Sequence, residues 1–263
     1  MNYDPIFIGG QMKSGTTMLR ALIGQHDYIY GGLETHWFNI DGNINNKNTI
    51  ITKLALFYEL DTFELEKIFL NYKNSNTHFI DSFLKYNTLK NNKRRWVEKT
   101  PQNISHIDLI NEYWDNYKFI HVLRDFRDIY ASWKMSNKGD VNFFIESVKS
   151  SYVNLEKYRS NPNYFEIKYE ELVINPKESI SEILVFLREN IDTKCFEINT
   201  KVSKIEFDKV KNITGKESNT LKSTQKKIFS SKISQYKEIL TNEEINIIEF
   251  ELELYFKLFG YKI

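Results

Sequence analysis

Residues 9–19, GGQMKSGTTML, follow the apolar run Ile6-Phe7-Ile8 and lead into a helix-like stretch. Gly9, Gly10 and Gly15 let the backbone come close to a ligand, and a helix start turns its N–H groups toward an anion. Lys13 places a positive charge inside the loop, while Ser14, Thr16 and Thr17 offer hydroxyls beside it. These are the residue types of a phosphate-binding loop. The ATP-binding version reads G-x-x-x-x-G-K-[ST], with its lysine after the last glycine and a magnesium-binding hydroxyl next. Gly10 to Gly15 has that span, yet Thr16 fills the lysine slot and Lys13 lies earlier. An ATP–magnesium reading is weakened at its most diagnostic positions. A functionless glycine-rich turn would need neither the lysine nor the threonine pair.

A second constellation lies in FIHVLRDFRDIYAS, where Arg124 ends an apolar run and Ser132 follows eight residues later. A guanidinium grips phosphate through charge-assisted, forked hydrogen bonds, and a serine two helical turns along can complete the grip. The pair KSGTT and Arg124…Ser132, in this order, resembles sulfotransferases that use 3′-phosphoadenosine 5′-phosphosulfate. The resemblance implies that Lys13, Ser14, Gly15, Thr16 and Thr17 hold the 5′-phosphosulfate, and that Arg124 and Ser132 hold the 3′-phosphate. YFEIKYEELVINP resembles the family's strand followed by "YEDL", which places Tyr169 beside the nucleotide. The likeness runs from residue 5 to about 190, with a weaker echo in GKES and SSKISQYKEIL.

Within that family the chain is most similar to tyrosylprotein sulfotransferases and their bacterial relatives. Their "GEET" segment supplies a base, and GGLETHWF puts Glu34 in register with its glutamate, 21 positions after Lys13. A carboxylate beside an acceptor hydroxyl can take its proton as the oxygen attacks sulfur; spacing alone favours an exposed loop carboxylate, and the register reverses that. His36, two residues on, is the reserve candidate. WVEKTPQN resembles the family's "KTP" element and gives Lys99 a place at the sulfuryl group, where Lys13 and Lys99 would stabilise the departing phosphate. A Lys99–Glu98 ion pair is disfavoured, because strand alternation sends the two to opposite faces. A late serine assists in the relatives; Ser223, Ser230 and Ser231 all qualify.

The elements that position these residues follow from periodicity. Strands are predicted at 5–10, 95–100 and 117–123, and a strand and turn over 164–172, with helical patterns over 15–26, from Pro101, over 124–135, over 48–91 and over 176–189. Thr241 and Glu244 form a capping-box pattern ahead of a last helix ending at Gly260. The polar stretch 208–227 lacks period and is predicted to be a mobile loop. Strands alternating with helices give an α/β fold, a P-loop-like three-layer sandwich with a central, mostly parallel sheet. One domain, 1–263, is the expectation for this length.

Composition narrows the function classes. Lys and Arg total 36 against 35 Asp and Glu, which argues against general nucleic-acid binding but leaves room for a local basic pocket. The single cysteine, Cys195, excludes an intrachain disulfide. No signal peptide and no membrane-length apolar run is visible, so a cytoplasmic location is expected. Five histidines and one cysteine show no metal-ligand spacing, and no metal is expected. His121, Trp114 and Trp133 are expected in the core, Trp37 or Phe38 as a wall of the acceptor pocket, and KNNKRR (90–95) as a solvated charge run. The acceptor could be a carbohydrate, a small metabolite, a lipid or a peptidyl tyrosine. Two other readings are a P-loop kinase-like enzyme using ATP and magnesium, and a nucleotide-binding protein without turnover.

Overall fold

The computed structural model describes residues 4–39, 44–71, 75–153, 155–226, 228 and 231–263. Five parallel strands, β1 (Ile6–Gly9), β2 (Ile29–Gly31), β3 (Arg95–Lys99), β4 (Lys118–Leu123) and β5 (Tyr164–Lys168), form one sheet in the order β2-β3-β1-β4-β5. The chain lays down one side of β1 first and then crosses to the other, so the strand order reverses beside β1. Ligands in open α/β sheets bind in the crevice at such a point, outside the strands' C-terminal ends.

Strand alternation builds the core as two layers. Ile6 and Ile8 face one way with Ile120 and Val122, and pack on Leu19, Leu22, Leu172 and Ile183. Phe7 and Phe119 face the other way into an aromatic layer with Trp96, Trp114 and Phe126. Helices α1 (Thr16–Ile23), α8 (Tyr169–Ile174) and α9 (Pro176–Phe186) cover the aliphatic side. The aromatic side takes α2 (Ile44–Tyr58), α3 (Thr62–Asn71), α4 (Asn76–Lys90), α5 (Ile107–Tyr113), α6 (Phe126–Lys134) and α7 (Val141–Ser151). Near the chain end, α12 (Tyr236–Ile239), α13 (Asn242–Glu251) and α14 (Glu253–Leu258) join the same layer. Thr241 and Glu244 form the expected capping box on α13.

Three expectations need correction. Residues 208–227 are not a mobile loop: α10 (Thr200–Thr214) and α11 (Asn219–Ser223) take up most of that stretch. The period is faint because this stretch carries few apolar residues, Val210, Ile213 and Leu221, and of these only Leu221 is buried. Arg20 of α1 grips Glu206 with two hydrogen bonds of 2.6 and 2.8 Å, and Lys209 reaches Glu59 at 2.6 Å. The run 90–95 is only partly solvated: Arg95 is buried, donating to Glu189 and to the carbonyls of Asp4 and Leu187, and Arg94 stacks on Tyr28. Trp37 and Phe38 do not line the cavity that holds Glu34 but lie in the aromatic core, Trp37 against Trp114 and Phe38 stacked on His106. His121 is the core histidine expected, bonded to the Tyr164 hydroxyl at 2.6 Å.

Candidate active site

A cavity of about 690 Å³ opens over the C-terminal ends of the strands. That volume lies within the range of small-molecule sites, roughly 300–1,000 Å³. Lys13, Gly15, Thr16, Thr17, Glu34, Lys99, Arg124, Ser132 and Tyr169 all line it. Positions spread over more than 150 residues of chain therefore meet in one place; of the expected residues, Ser14 lies just behind the surface, buried.

The loop between β1 and α1 is held in a tight conformation. Gly10 has φ +152° and its N–H donates to the Pro101 carbonyl at 3.0 Å. Gly15 caps α1 at φ +106°, and a Cβ there would stand 2.5 Å from the Tyr169 ring. Lys13 itself sits in the left-handed region at φ +80°, a conformation that a non-glycine residue keeps only when its surroundings hold it. No side chain caps α1, so its first-turn N–H groups remain available to a ligand. Ser14 Oγ is buried without a partner.

Lys99, at the end of β3, is the hub. Its buried ammonium donates to Thr17 Oγ1 at 2.9 Å and forms an ion pair with Glu34, which follows β2. Burial pulls the Lys99 ammonium below the ordinary lysine range, against the Glu34 charge. Burial alone would raise the Glu34 carboxyl; the Lys99 charge and a 3.0 Å contact to His36 Nε2 outweigh it and hold Glu34 well below the usual carboxylate range. Glu98 points to the opposite face, as alternation requires. It accepts from Thr35 Oγ1 at 2.8 Å, Thr100 Oγ1 at 2.7 Å and Asn103 Nδ2 at 2.5 Å. This buried carboxylate thereby anchors the Glu34–His36 segment, and His36 is held at φ +50° above Thr100.

Arg124, at the end of β4, bridges two segments. One guanidinium nitrogen donates to the Lys13 carbonyl at 3.0 Å and the other to the Lys232 carbonyl at 2.7 Å, while its Nε is buried without a hydrogen-bond partner among the described residues. The group also lies 4.4 Å from the Tyr169 ring centroid. Ser132 accepts from Gln235 Nε2 at 2.7 Å. Lys13 is drawn below its ordinary range by burial and by the charges of Lys138 and Lys232.

Among the described residues seven cations line the cavity, Lys13, Arg20, Lys53, Lys99, Arg124, Lys138 and Lys232, against one carboxylate, Glu34; Arg20 is paired with Glu206 and Lys99 with Glu34. In a chain of net charge +1 this concentration of positive charge favours an anionic occupant. Sequence reasoning missed Glu98, Arg20, Lys138 and Lys232. Lys232 lies in the loosely matching SSKISQYKEIL stretch, Glu98 lies in WVEKTPQN but was read only as facing away from Lys99, and Arg20 and Lys138 carry no motif. Among the late serines, Ser223 lines the cavity and Ser231 is exposed beside Lys232, while Ser230 lies outside the described residues.

A cationic crevice at the strand-order reversal, entered by a glycine-bearing strand-to-helix loop, places the chain among open α/β proteins with a cavity at the C-terminal ends of their strands. More narrowly, the chain belongs to the sulfotransferase family, whose model matches residues 5–193. It is 24% identical over 200 residues to an uncharacterized protein of Aquifex aeolicus (strain VF5), an alignment covering 69% of this chain and 25% of that protein. The chain thus spans about a quarter of that curated relative's length. Its fold is that of the sulfotransferase domain of the Synechococcus PCC 7002 olefin synthase, with TM-score 0.68, 18% identity and coverage of 100% of this chain and 96% of the other. Mouse sulfotransferase SULT7A1, complexed with PAP, superposes with TM-score 0.53, 16% identity and coverage of 98% and 86%. No helix among the described residues is long and apolar enough to cross a membrane.

Proposed function

We propose that the chain transfers a sulfuryl group from 3′-phosphoadenosine 5′-phosphosulfate to an acceptor hydroxyl. The observation that carries this reading is the hub at Lys99, where one buried ammonium touches both the phosphate-loop helix and Glu34. The donor supplies a sulfuryl group already activated by its bond to phosphate. The cavity's charge and its unpartnered buried Arg124 Nε fit a nucleotide bearing two anionic ends; SULT7A1, with the same fold, is complexed with PAP.

The residues divide the work as follows. Lys13, Ser14, Gly15, Thr16 and Thr17 cradle the 5′ end through loop N–H groups, hydroxyls and one charge. Arg124, Ser132 and Tyr169 border the 3′-phosphate side. Glu34 is ionised at neutral pH, as a proton acceptor must be, but Lys99 makes it a weak base at rest. Drawing the Lys99 ammonium toward the negative charge that collects on the departing phosphate removes that restraint. Glu34 then gains basicity as it takes the acceptor's proton. The 3.0 Å contact between His36 and Glu34 favours one second reading, in which Glu34 orients His36 and the imidazole takes the proton.

Calorimetry with PAP in the absence of metal, set beside ATP with magnesium, tests the donor. Tight PAP binding together with transfer of labelled sulfate to a hydroxyl compound is the expected result. Preference for ATP–magnesium would overturn the reading in favour of a kinase-like enzyme. PAP binding with no transfer across a broad acceptor screen would leave a nucleotide-binding protein.

A further inference from the structure

The segment 231–236 lies beyond the region that the family model matches, yet it touches both residues assigned to the 3′-phosphate side. Arg124 donates to the Lys232 carbonyl, and Gln235 donates to Ser132 Oγ. What holds this strap in place is Asp128, on α6 between those two residues. Its carboxylate is buried, with 1% of the residue exposed, and it accepts the backbone N–H of Ser234 at 2.8 Å and of Tyr236 at 3.0 Å. Gln235 adds a bond to the Asp128 carbonyl at 3.1 Å. A buried carboxylate is costly unless hydrogen bonds satisfy it, and here the strap's own backbone does so. Ser234 sits at φ +60°, a left-handed turn that aims two N–H groups at one acceptor. The turn leaves Lys232 lining the same cavity as Arg124, close enough for their charges to act on each other.

We infer that Asp128 is a positioning residue of the donor site: it docks the strap 231–236 so that Lys232 and Arg124 face the nucleotide's 3′-phosphate side together. The inference rests on the donor reading above. Asp128 does not touch the ligand; it acts through the backbone of the strap. Arg124 is the group through which the strap reaches the site, donating to the Lys232 carbonyl on one side and to the Lys13 carbonyl on the other.

The experiment is calorimetry of the full chain with two probes, PAP and adenosine 5′-phosphate, which lacks the 3′-phosphate. Removing a hydrogen-bonded charge of this kind is expected to weaken PAP by about tenfold or more. In Asp128→Ala the adenosine 5′-phosphate affinity should change little, so the ratio between the two ligands collapses. A role confined to general stability would lower both affinities alike and keep the ratio. Asp128→Asn is the second variant: it retains the packing but turns one acceptor into a donor facing an N–H, so the ratio should fall while the melting curve stays cooperative. If Asp128→Ala fails to fold, the asparagine variant decides alone. An unchanged ratio in a folded variant overturns the inference while the donor assignment stands. Failure of the unsubstituted chain to bind PAP overturns both.

Discussion

Lys99 and Glu34 meet as an ion pair across the C-terminal ends of β2 and β3, and the same ammonium donates to Thr17 at the start of α1. Three segments far apart in sequence thus converge on one nitrogen. Burial lowers the Lys99 ammonium's pKa while Lys99 lowers that of Glu34, so each group's ionised form depends on the other.

Glu34→Gln keeps the shape of the site and removes the proton acceptor. Turnover is expected to fall by roughly 10²–10⁴-fold, the usual contribution of a positioned base. PAP affinity, measured by calorimetry, should stay within about twofold, because an uncharged neighbour of Lys99 does not weaken the cationic cavity. Normal turnover in this variant, with loss in His36→Gln, would transfer the base role to His36.

Arg124→Ala removes a charge and two bonds that tie the Lys13 loop to the Lys232 strap. PAP affinity should fall about 100-fold or more, since a charge-assisted contact and two supporting bonds go together. Titration with PAP checks it, and an affinity loss under threefold would remove Arg124 from the donor site.

Glu98→Gln tests the anchor beneath the base. Its new amide N–H₂ would face the Asn103 amide or the Thr35 and Thr100 hydroxyls, leaving at least one buried donor unpaired. Stability should drop by about 1–3 kcal/mol in urea unfolding. Turnover should drop with PAP affinity unchanged, because the loosened segment 34–36 carries the base and not the donor contacts.

His121 makes folding acid-sensitive. Burial, helped by the Arg159 charge, depresses its imidazole from 6.5 to about 3. The unfolded chain therefore binds this proton more readily than the native one. The neutral histidine's contribution is complete above pH 6.5 and is lost as pH falls toward 3. Melting temperature should decline across that window, with up to about 5 kcal/mol at stake. His121→Gln should start less stable but show a flatter profile; an equally steep decline would assign the acid sensitivity elsewhere.

Local chemistry explains what could be read in advance. KSGTT, Arg124…Ser132 and WVEKT each combine a strand end with residues whose type serves an anion, so the proposed donor side could be named from short windows, and all three line one cavity. The strand alternation that separates Lys99 from Glu98 was legible for the same reason. Trp37 and Phe38 were misplaced because neighbourhood in sequence to Glu34 says nothing about direction: the turn at His36 sends both rings into the core. The helical turns within 208–227 were missed because that stretch has few apolar residues, Val210, Ile213 and Leu221, too few to write a period.

The sequence by itself determined four of the five strands, the family and which residues are candidates for the donor side, since periodicity and loop chemistry are properties of a few consecutive residues. Only the tertiary structure decided that Lys99 pairs with Glu34, that Glu98 anchors the segment carrying the proposed base, and that Asp128 docks the Lys232 strap over Arg124. These are contacts between elements. They exist because five parallel strands bring their C-terminal ends to one edge, where side chains without a common motif are forced to satisfy one another's charge and hydrogen bonds.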